Sequence, residues 1–402
     1  MKTLMLAVML LPLAPFAASA EPLAIVGETV HTMAGEALRN GVVLVRDGKI
    51  ERTGVALAIP AGYRVINAEV VTPGLIDAHT VVGLAGYLNQ SHDQDQIERT
   101  EAIQPELRAI DAYNPHEELV AWLRSFGVTT IHTGHAPAAL VSGQTMIVKT
   151  RGNSVDEAMV RPEAMIAVAL GEAGLGEDKK SPGTRPKEIA MLRSELVKAQ
   201  EYARKTGAAK DDGKPARDLG LEMLGKVLRK EMPLLVNADR ARDILAALRV
   251  AKEFNINVVL DGAAEAYLVV DQIKAAGVPV IIHPTMSRSY GDSENLSFET
   301  ASILRKAGIP VALQSGFESY VPKTRVVLFE AGVAAANGLS TEQALATITI
   351  DAAKILGIAN RAGSIEAGKD ADLVLFDGDP FEYTTHVTHV VIDGDVVSEV
   401  KR

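Results

Sequence analysis

The feature that most constrains the fold is an alternation of short apolar segments with amphipathic helical segments through the middle of the chain. The apolar segments read GVTTIHTG, AMIAVALG, PLLVNAD, INVVLDG, VPVIIHP and IPVALQSG. Strands that are apolar on both faces and alternate with helices are typical of a parallel sheet. With VVTPGLIDAH added, their number approaches the eight strands of a closed barrel. The sequence therefore predicts an α/β fold, a (β/α)8 TIM barrel rather than an open sheet.

Both ends of the chain predict short β-strands. GVVLVRDGKIERTG places Asp47 and Gly48 between two alternating strands, and HVTHVVIDGDVVSEV does the same with Asp393 and Gly394. Asp-Gly in this setting is typical of a hairpin turn. Two β-rich ends around a long middle predict one small β-sandwich domain formed by both chain ends. The predicted divisions are a signal peptide at 1–20, sandwich at 21–72, barrel at 73–362 and sandwich again at 363–402.

The first residues have the pattern of an export signal. Lys2 precedes a short apolar run, and Ala18-Ser19-Ala20 forms a small-x-small cleavage site. The run is too short and too interrupted by proline to span a bilayer comfortably. We expect cleavage after Ala20, a mature chain without a membrane span, and a periplasmic or secreted location. The alternative is an uncleaved anchor helix.

Composition excludes several kinds of partner and site. The chain has 41 Lys and Arg against 51 Asp and Glu, a net charge of −10, and no basic stripe. Nucleic acid and anionic membrane surfaces attract clustered Lys and Arg, so neither is an expected partner. The sequence contains no cysteine, which excludes disulfides and thiolate metal ligands. A small-molecule substrate or ligand is the expected partner.

Two motifs carry a resemblance to a known family. PGLIDAH at 73–79 and GSIEAGKDADLVLFDGDP at 363–380 resemble the amidohydrolase superfamily, and most closely its imidazolonepropionase-like members. TIDAAKILGI at 349–358 resembles the final barrel helix of that family. The resemblance covers essentially the whole mature chain. It implies hydrolysis of a C–N bond other than a peptide bond, often in a cyclic amide, with one or two divalent metals at the barrel rim.

The ligand set that the resemblance implies is incomplete in this sequence. In the family, His-x-His ends the first strand, Lys or Glu ends the fourth, His residues end the fifth and sixth, and Asp ends the eighth. His79 matches the first ligand and Glu172 the fourth-strand ligand. The positions without a ligand are Val81, Asn237, Gly262 and Gly316, or Ser315 if the alignment shifts by one residue. We therefore expect that the ordinary binuclear site does not form.

Other polar residues follow the predicted strands and leave two interpretations open. His132 and His135 follow one strand, His283 another, and Asp261 a third. A relocated site for one divalent metal, with zinc the first choice, could use His79, His132 or His135 as ligands, together with His283 and a carboxylate. The alternative is a polar cavity that binds no metal, in which these side chains hydrogen-bond to one another.

A metal-free mechanism is the further possibility. Asp261 or Glu172 would act as general base toward a water, with His79 or His283 as the acid. Lys149 follows another apolar run, and Arg325 follows the eighth strand, where barrels often hold anionic groups. Both are candidates for ligand binding, Arg325 through a carboxylate or phosphate. The alternative for Arg325 is a salt bridge with a neighbouring glutamate.

The sequence favours an amidohydrolase-like hydrolase of non-peptide C–N bonds with an eroded metal site, because the lineage is clear. The other hypothesis is a non-catalytic protein of the same fold. Such a protein would bind a small ligand or pair with an active relative. A homo-oligomer is also expected, since oligomers are common among such barrels.

Overall fold

The computed structural model of the chain describes residues 21–88, 90–176, 180–208, 214–317 and 326–402. The predicted signal peptide and Arg325 lie outside the described residues. The strands are β1 (Leu23–Val30), β2 (Leu38–Arg46), β3 (Lys49–Val55), β4 (Arg64–Pro73), β5 (Leu75–Thr80), β6 (Val128–Thr133), β7 (Val141–Gln144), β8 (Met146–Lys149), β9 (Met159–Arg161), β10 (Ile166–Ala169), β11 (Leu234–Asn237), β12 (Val258–Gly262), β13 (Val280–Ile282), β14 (Val311–Leu313), β15 (Leu373–Phe376), β16 (Val387–Ile392) and β17 (Asp395–Ser398). The α-helices are α1 (Glu118–Ser125), α2 (Val155–Ala158), α3 (Arg185–Ala208), α4 (Leu219–Leu228), α5 (Ala241–Phe254), α6 (Val270–Ala276), α7 (Thr300–Lys306), α8 (Val327–Ala336), α9 (Thr341–Thr347) and α10 (Ile350–Ile355).

Both chain ends join in one composite sheet, as the sequence predicted. Its strand order is β17-β16-β15-β4-β1-β2-β3, and β4 pairs directly with β15. Asp47 and Asp393 take positive φ angles of 50° and 49° in the two expected hairpins, as Asp-Gly turns between strands require. The seven strands form one hydrogen-bonded sheet, and its description as a sandwich stays a prediction. The sheet folds back on itself, because the Ile50 N–H donates to the carbonyl of Lys369 at 3.0 Å and the Ala371 N–H donates to the carbonyl of Gly48 at 2.9 Å.

The middle of the chain forms an α/β structure in two further sheets. One sheet has the order β14-β13-β12-β11-β10-β7, and its strands from β10 to β14 are parallel. The other has the order β5-β6-β8-β9, in which β5 and β6 are parallel. Two short strands outside the segments that predicted the parallel sheet, β7 and β8, pair antiparallel with β10 and β6.

Two contacts connect the edges of these sheets. Strands β7 and β8 are separated along the chain only by Thr145, whose N–H donates to the carbonyl of Met165 at 2.9 Å. At the opposite edges, Thr80 at the end of β5 forms a parallel bridge with Gly316, beyond β14. The Gly316 N–H donates to the carbonyl oxygen of His79 at 3.1 Å. The carboxyl ends of the parallel strands therefore face one region of the molecule.

Lys149 links the α/β part to the composite sheet. Its ammonium lies 2.9 Å from Asp370, 2.8 Å from Asp372 and 2.7 Å from Asp393. The lysine side chain is buried, and its donors are taken by these carboxylates. The structure therefore gives Lys149 a role in joining the layers and does not support the expected role in ligand binding. Within the described ranges, no helix is both long and apolar enough to cross a membrane.

Candidate functional site

A cavity of about 260 Å³ lies at the carboxyl ends of the parallel strands. Its wall includes His79 from β5, Asp261 from β12, His283 after β13 and Asp239 after β11. The strands place these residues together because their apolar side chains, such as Leu260, are fully buried beneath the rim. Three residues predicted from separate strand ends, His79, Asp261 and His283, thus line one cavity.

His79 is held by a buried carboxylate. Its Nδ1 lies 2.9 Å from Oδ1 of Asp261, and because an ionised carboxylate only accepts, Nδ1 carries the proton of this bond. The Nε2 atom is buried and has no hydrogen-bond partner among the described residues. Burial lowers the pKa of His79, but the charge and hydrogen bond of Asp261 outweigh burial and raise the pKa above its ordinary value. The raised pKa favours the protonated ring, which can donate a proton through Nε2.

Asp261 already accepts hydrogen bonds from three protein donors. Besides His79, it accepts from Nδ2 of Asn237 at 3.0 Å and from Nε2 of Gln314 at 2.9 Å. Burial raises the pKa of Asp261, but the His79 charge and these donors lower it below its ordinary value. Asp261 therefore orients His79 as a positioning residue, and the geometry does not support its expected role as general base.

His283 presents the opposite protonation pattern. Its Nδ1 lies 3.0 Å from the carbonyl oxygen of Pro284, which can only accept, so Nδ1 donates. The Nε2 atom then carries a lone pair, is buried, and has no partner among the described residues. Burial lowers the pKa of His283, which keeps the imidazole neutral. His283 is therefore a proton acceptor through Nε2.

Two further carboxylates at the site were missed at the sequence level. Asp77 in β5 is fully buried and accepts from the Ser315 N–H at 3.0 Å and the Ser315 hydroxyl at 2.5 Å. Burial raises the pKa of Asp77 to about 7. It ties the end of β5 to the segment after β14, two residues before His79. The signal was available, since an acid inside the apolar PGLIDAH strand must be hydrogen-bonded.

Asp239 is the second of these carboxylates. Its Oδ1 accepts from the N–H of Ala264 at 3.2 Å, and burial raises its pKa to about 6. A side chain at position 262 would place its Cβ 2.7 Å from this oxygen, closer than such atoms approach. Gly262 also has φ of +72°, a conformation that favours glycine. Asp239 thus occupies space next to the strand end where the resemblance implied a histidine.

Three other predicted site residues, His132, His135 and Glu172, do not line the cavity. His132 is fully buried, with Nδ1 bonded to the carbonyl of Ala78 at 2.7 Å and Nε2 to Thr145 at 2.6 Å. Burial lowers the pKa of His132 to about 3. Its ring centroid lies 5.6 Å from that of His79. Ligation by His132 would require one of these bonds to break, so the geometry does not favour it as a metal ligand.

His135 and Glu172 also lie off the cavity wall. His135 is buried, and neither ring nitrogen has a partner among the described residues. Glu172 is exposed, and its N–H donates to Asp292 at 2.6 Å, in an ion-pair network with Arg185. The structure therefore does not support Glu172 as a general base, and His135 as a metal ligand stays a prediction.

Comparisons with known proteins give the lineage. The family model described as "Amidohydrolase family" matches residues 320–397. A crystal structure of an amidohydrolase from Thermotoga maritima MSB8 superposes with a TM-score of 0.89 and 31% sequence identity, covering 94% of this chain and 100% of that one. The chain belongs to the amidohydrolase superfamily. The sequence-level resemblance is confirmed.

More distant amidohydrolase relatives are consistent with this placement. The imidazolonepropionase of Brucella anthropi is 25% identical over 84% of this chain and 87% of its own length. Amidohydrolase tasK of Hapsidospora irregularis is 26% identical over 92% of this chain. The match covers only 42% of the tasK protein, so this chain spans less than half of that relative.

The site does not fit the metal typical of the amidohydrolase superfamily. Among the residues that the structure describes, no three His, Asp or Glu side chains converge to hold a metal ion. Three protein donors already occupy Asp261. Val81, at the second position of the His-x-His motif, packs with Ala85 and Ala136 in an apolar cluster. The described residues therefore do not assemble the metal ligands that the family resemblance implied.

Proposed function

We propose that this amidohydrolase-family chain hydrolyses a C–N bond other than a peptide bond, in the cavity between His79 and His283. The observation that carries the proposal is a pair of buried Nε2 atoms on the wall of one cavity, neither of which has a hydrogen-bond partner among the described residues. Environments that push the proton affinities of two groups apart are typical of a general acid and a general base. Family membership supplies the reaction class.

In this reaction His283 acts as the general base and His79 as the general acid. A water in the cavity gives one proton to Nε2 of His283, while its oxygen bonds to the carbonyl carbon of the substrate. The C–N bond of the resulting tetrahedral carbon then breaks, and Nε2–H of His79 protonates the leaving nitrogen. Proton exchange with solvent returns both rings to their starting states. Asp261 stabilises the charged ring of His79 before the transfer and fixes its orientation.

Hydrogen bonds behind His79 support its role as the acid. Asn237 and Gln314 hold the carboxylate of Asp261 in its place beside His79. Asp77 accepts from the N–H of His79 at 3.4 Å and bonds Ser315, which secures the end of β5. The acid thus stands on a strand whose end is fixed, as precise catalysis requires.

We infer in addition that the two middle sheets close into a (β/α)8 barrel. The segment from Val141 to Lys149 pairs with β10 through its first half and with β6 through its second half. The bridge from Thr80 to Gly316 brings the remaining edges together. Strands β5, β6, β7 with β8, and β10 to β14 would then complete the ring, with one antiparallel member.

A non-catalytic, ligand-binding role is the second candidate. It is favoured by the apolar cluster around Val81, at the position of a family ligand, and by the three protein donors that already hold the carboxylate of Asp261. Export to the periplasm or beyond, a homo-oligomer and pairing with an active relative remain proposals from the sequence.

The test is hydrolysis of a panel of lactams and N-acyl amino acids, with the appearance of a free amine as the readout. His79→Gln and His283→Gln are each expected to lower kcat by roughly 100-fold or more, since each removes one proton-transfer group. His389→Gln, in β16 of the composite sheet, is the matched control and should retain full activity. Equal activity in all three variants would contradict the proposed site. Tight binding of panel compounds without turnover would favour the second candidate.

A further inference from the structure

Asp239 lies on the cavity wall without a cationic partner among the described residues. Its only side-chain hydrogen bond there is the one that Oδ1 accepts from Ala264. The guanidinium of Arg240 is adjacent in sequence, but it bonds instead to Glu265, Asp292 and Glu294. A partly buried carboxylate without a counter-ion is costly, so such groups usually meet a cation or a hydrogen-bond donor from elsewhere.

The other charges around the cavity do not neutralise Asp239. Asp261 is paired with His79, so this pair adds little net charge. Arg99 and Arg288 also line the cavity, and each has an interaction of its own. Asp261 and Asp292 act on Asp239 with the same sign of charge, and burial first, then their charges, raises the pKa of Asp239 to about 6. Above about pH 6, Asp239 therefore carries a negative charge on this wall and forms no ion pair with Arg99, Arg288 or another cation among the described residues.

The space for this carboxylate is built into the backbone. A Cβ on residue 262 would lie 2.7 Å from Oδ1 of Asp239 and 2.9 Å from Nδ2 of Asn237. The absence of a side chain at Gly262 is what lets Asp239 reach the wall. His79 and His283 supply an independent sign of a ligand here. Both are more than nine-tenths buried, and their Nε2 atoms have no hydrogen-bond partner in the part of the chain that the structure describes.

We propose that Asp239 binds a positively charged nitrogen group of the ligand, such as an amidinium or a guanidinium, next to the bond that His79 and His283 cleave. The position of that bond rests on the proposed function. The preference for a cation does not rest on the proposed function, because it follows from the carboxylate of Asp239 and from the absence of a side chain at Gly262. Asp239 would then determine specificity for substrates that carry a cationic group.

Benzamidine and benzamide form a matched pair of probes with nearly the same shape, of which benzamidine is a cation and benzamide is neutral. Isothermal titration at pH 8 measures the Kd of each for the wild-type chain. A charge-assisted hydrogen bond in a partly desolvated site should favour benzamidine by about tenfold or more. Asp239→Asn should remove this preference and Asp239→Glu should keep part of it. Asp271→Asn, an exposed acid in the first turn of α6, should leave it unchanged.

Circular dichroism of each variant establishes that it is folded before titration. Equal affinity for the two probes, no binding of either, or a preference that survives Asp239→Asn would each overturn the proposal. A parallel titration with zinc chloride separates an organic cation from a metal: stoichiometric zinc binding lost in Asp239→Asn would also overturn it. If the preference fails while His79→Gln still abolishes hydrolysis, the specificity proposal falls and the proposed function stands.

Discussion

At the residue scale, the central feature is how each histidine is fixed through Nδ1. His79 donates to the carboxylate of Asp261, and His283 donates to the carbonyl of Pro284. A carboxylate stabilises the protonated ring, whereas a neutral carbonyl in a buried setting does so only weakly. The partner of Nδ1 thus decides which Nε2 gives a proton and which one takes it.

Replacement of Asp261 tests this division. Asp261→Asn keeps the shape but removes the charge that raises the pKa of His79. The ring then loses its proton at lower pH, so the decline of kcat/KM on the alkaline side should move to lower pH. We also expect kcat to fall by roughly 100-fold. A pH–rate profile measures both effects. An unchanged alkaline limb would mean that Asp261 has only a structural role.

Part of this site could be predicted from the sequence, and part could not. His79, Asp261 and His283 each follow an apolar strand, and the carboxyl ends of parallel strands meet. Asp239 was missed because its approach depends on the missing side chain of Gly262, a contact between two strand ends. His132 also follows a strand, but it points into bonds with Ala78 and Thr145. Strand position alone does not give the direction of a side chain.

At the scale of elements, the apolar alternation predicts the strands well and the pairing less well. Strands β7 and β8 have the same buried character as their parallel neighbours but run antiparallel to β6 and β10. Apolar character reports burial on both faces, and burial alone does not distinguish these antiparallel pairs from the parallel ones.

The junction between β8 and the composite sheet depends on Lys149. Lys149→Met keeps most of the volume but leaves the buried Asp372 without its cation. Loss of one partner of a buried pair should lower the free energy of unfolding by about 3 kcal/mol. Lys198→Met, which removes an exposed pair with Glu195, should cost less than about 1 kcal/mol. Urea unfolding measures both, and equal effects would contradict a structural role for the buried cluster.

The same junction predicts a loss of stability in acid. Burial raises the pKa of Asp370, but Lys149, Lys49 and Arg361 prevail and lower it to about 2. The ionised Asp370 therefore stabilises the fold fully above about pH 4, its range in an unfolded chain. This contribution is lost as the pH falls toward 2. In Lys149→Met, the fall in stability between pH 4 and 2 should become smaller.

At the scale of the whole molecule, an amidohydrolase fold is retained while the family's metal ligands are not. The strand framework and the composite sheet could be predicted because apolar patterning and Asp-Gly turns are local. The direct pairing of β4 with β15 could not be predicted, because it joins residues far apart in the chain. Asn237 and Gln314 donate hydrogen bonds to Asp261. These bonds stabilise its negative charge, as a cation does in a metal site.

The most direct test of the central claim is amine release by the wild-type chain after exhaustive dialysis against EDTA, with metal content determined on the same sample. The substrate is the panel compound that the untreated protein cleaves fastest. If His79 and His283 carry the proton transfers, the rate of amine release should be unchanged when far less than one metal ion per chain remains. A rate lost on dialysis and restored by zinc would contradict it, and would mean that the ligands include residues other than those on this cavity wall.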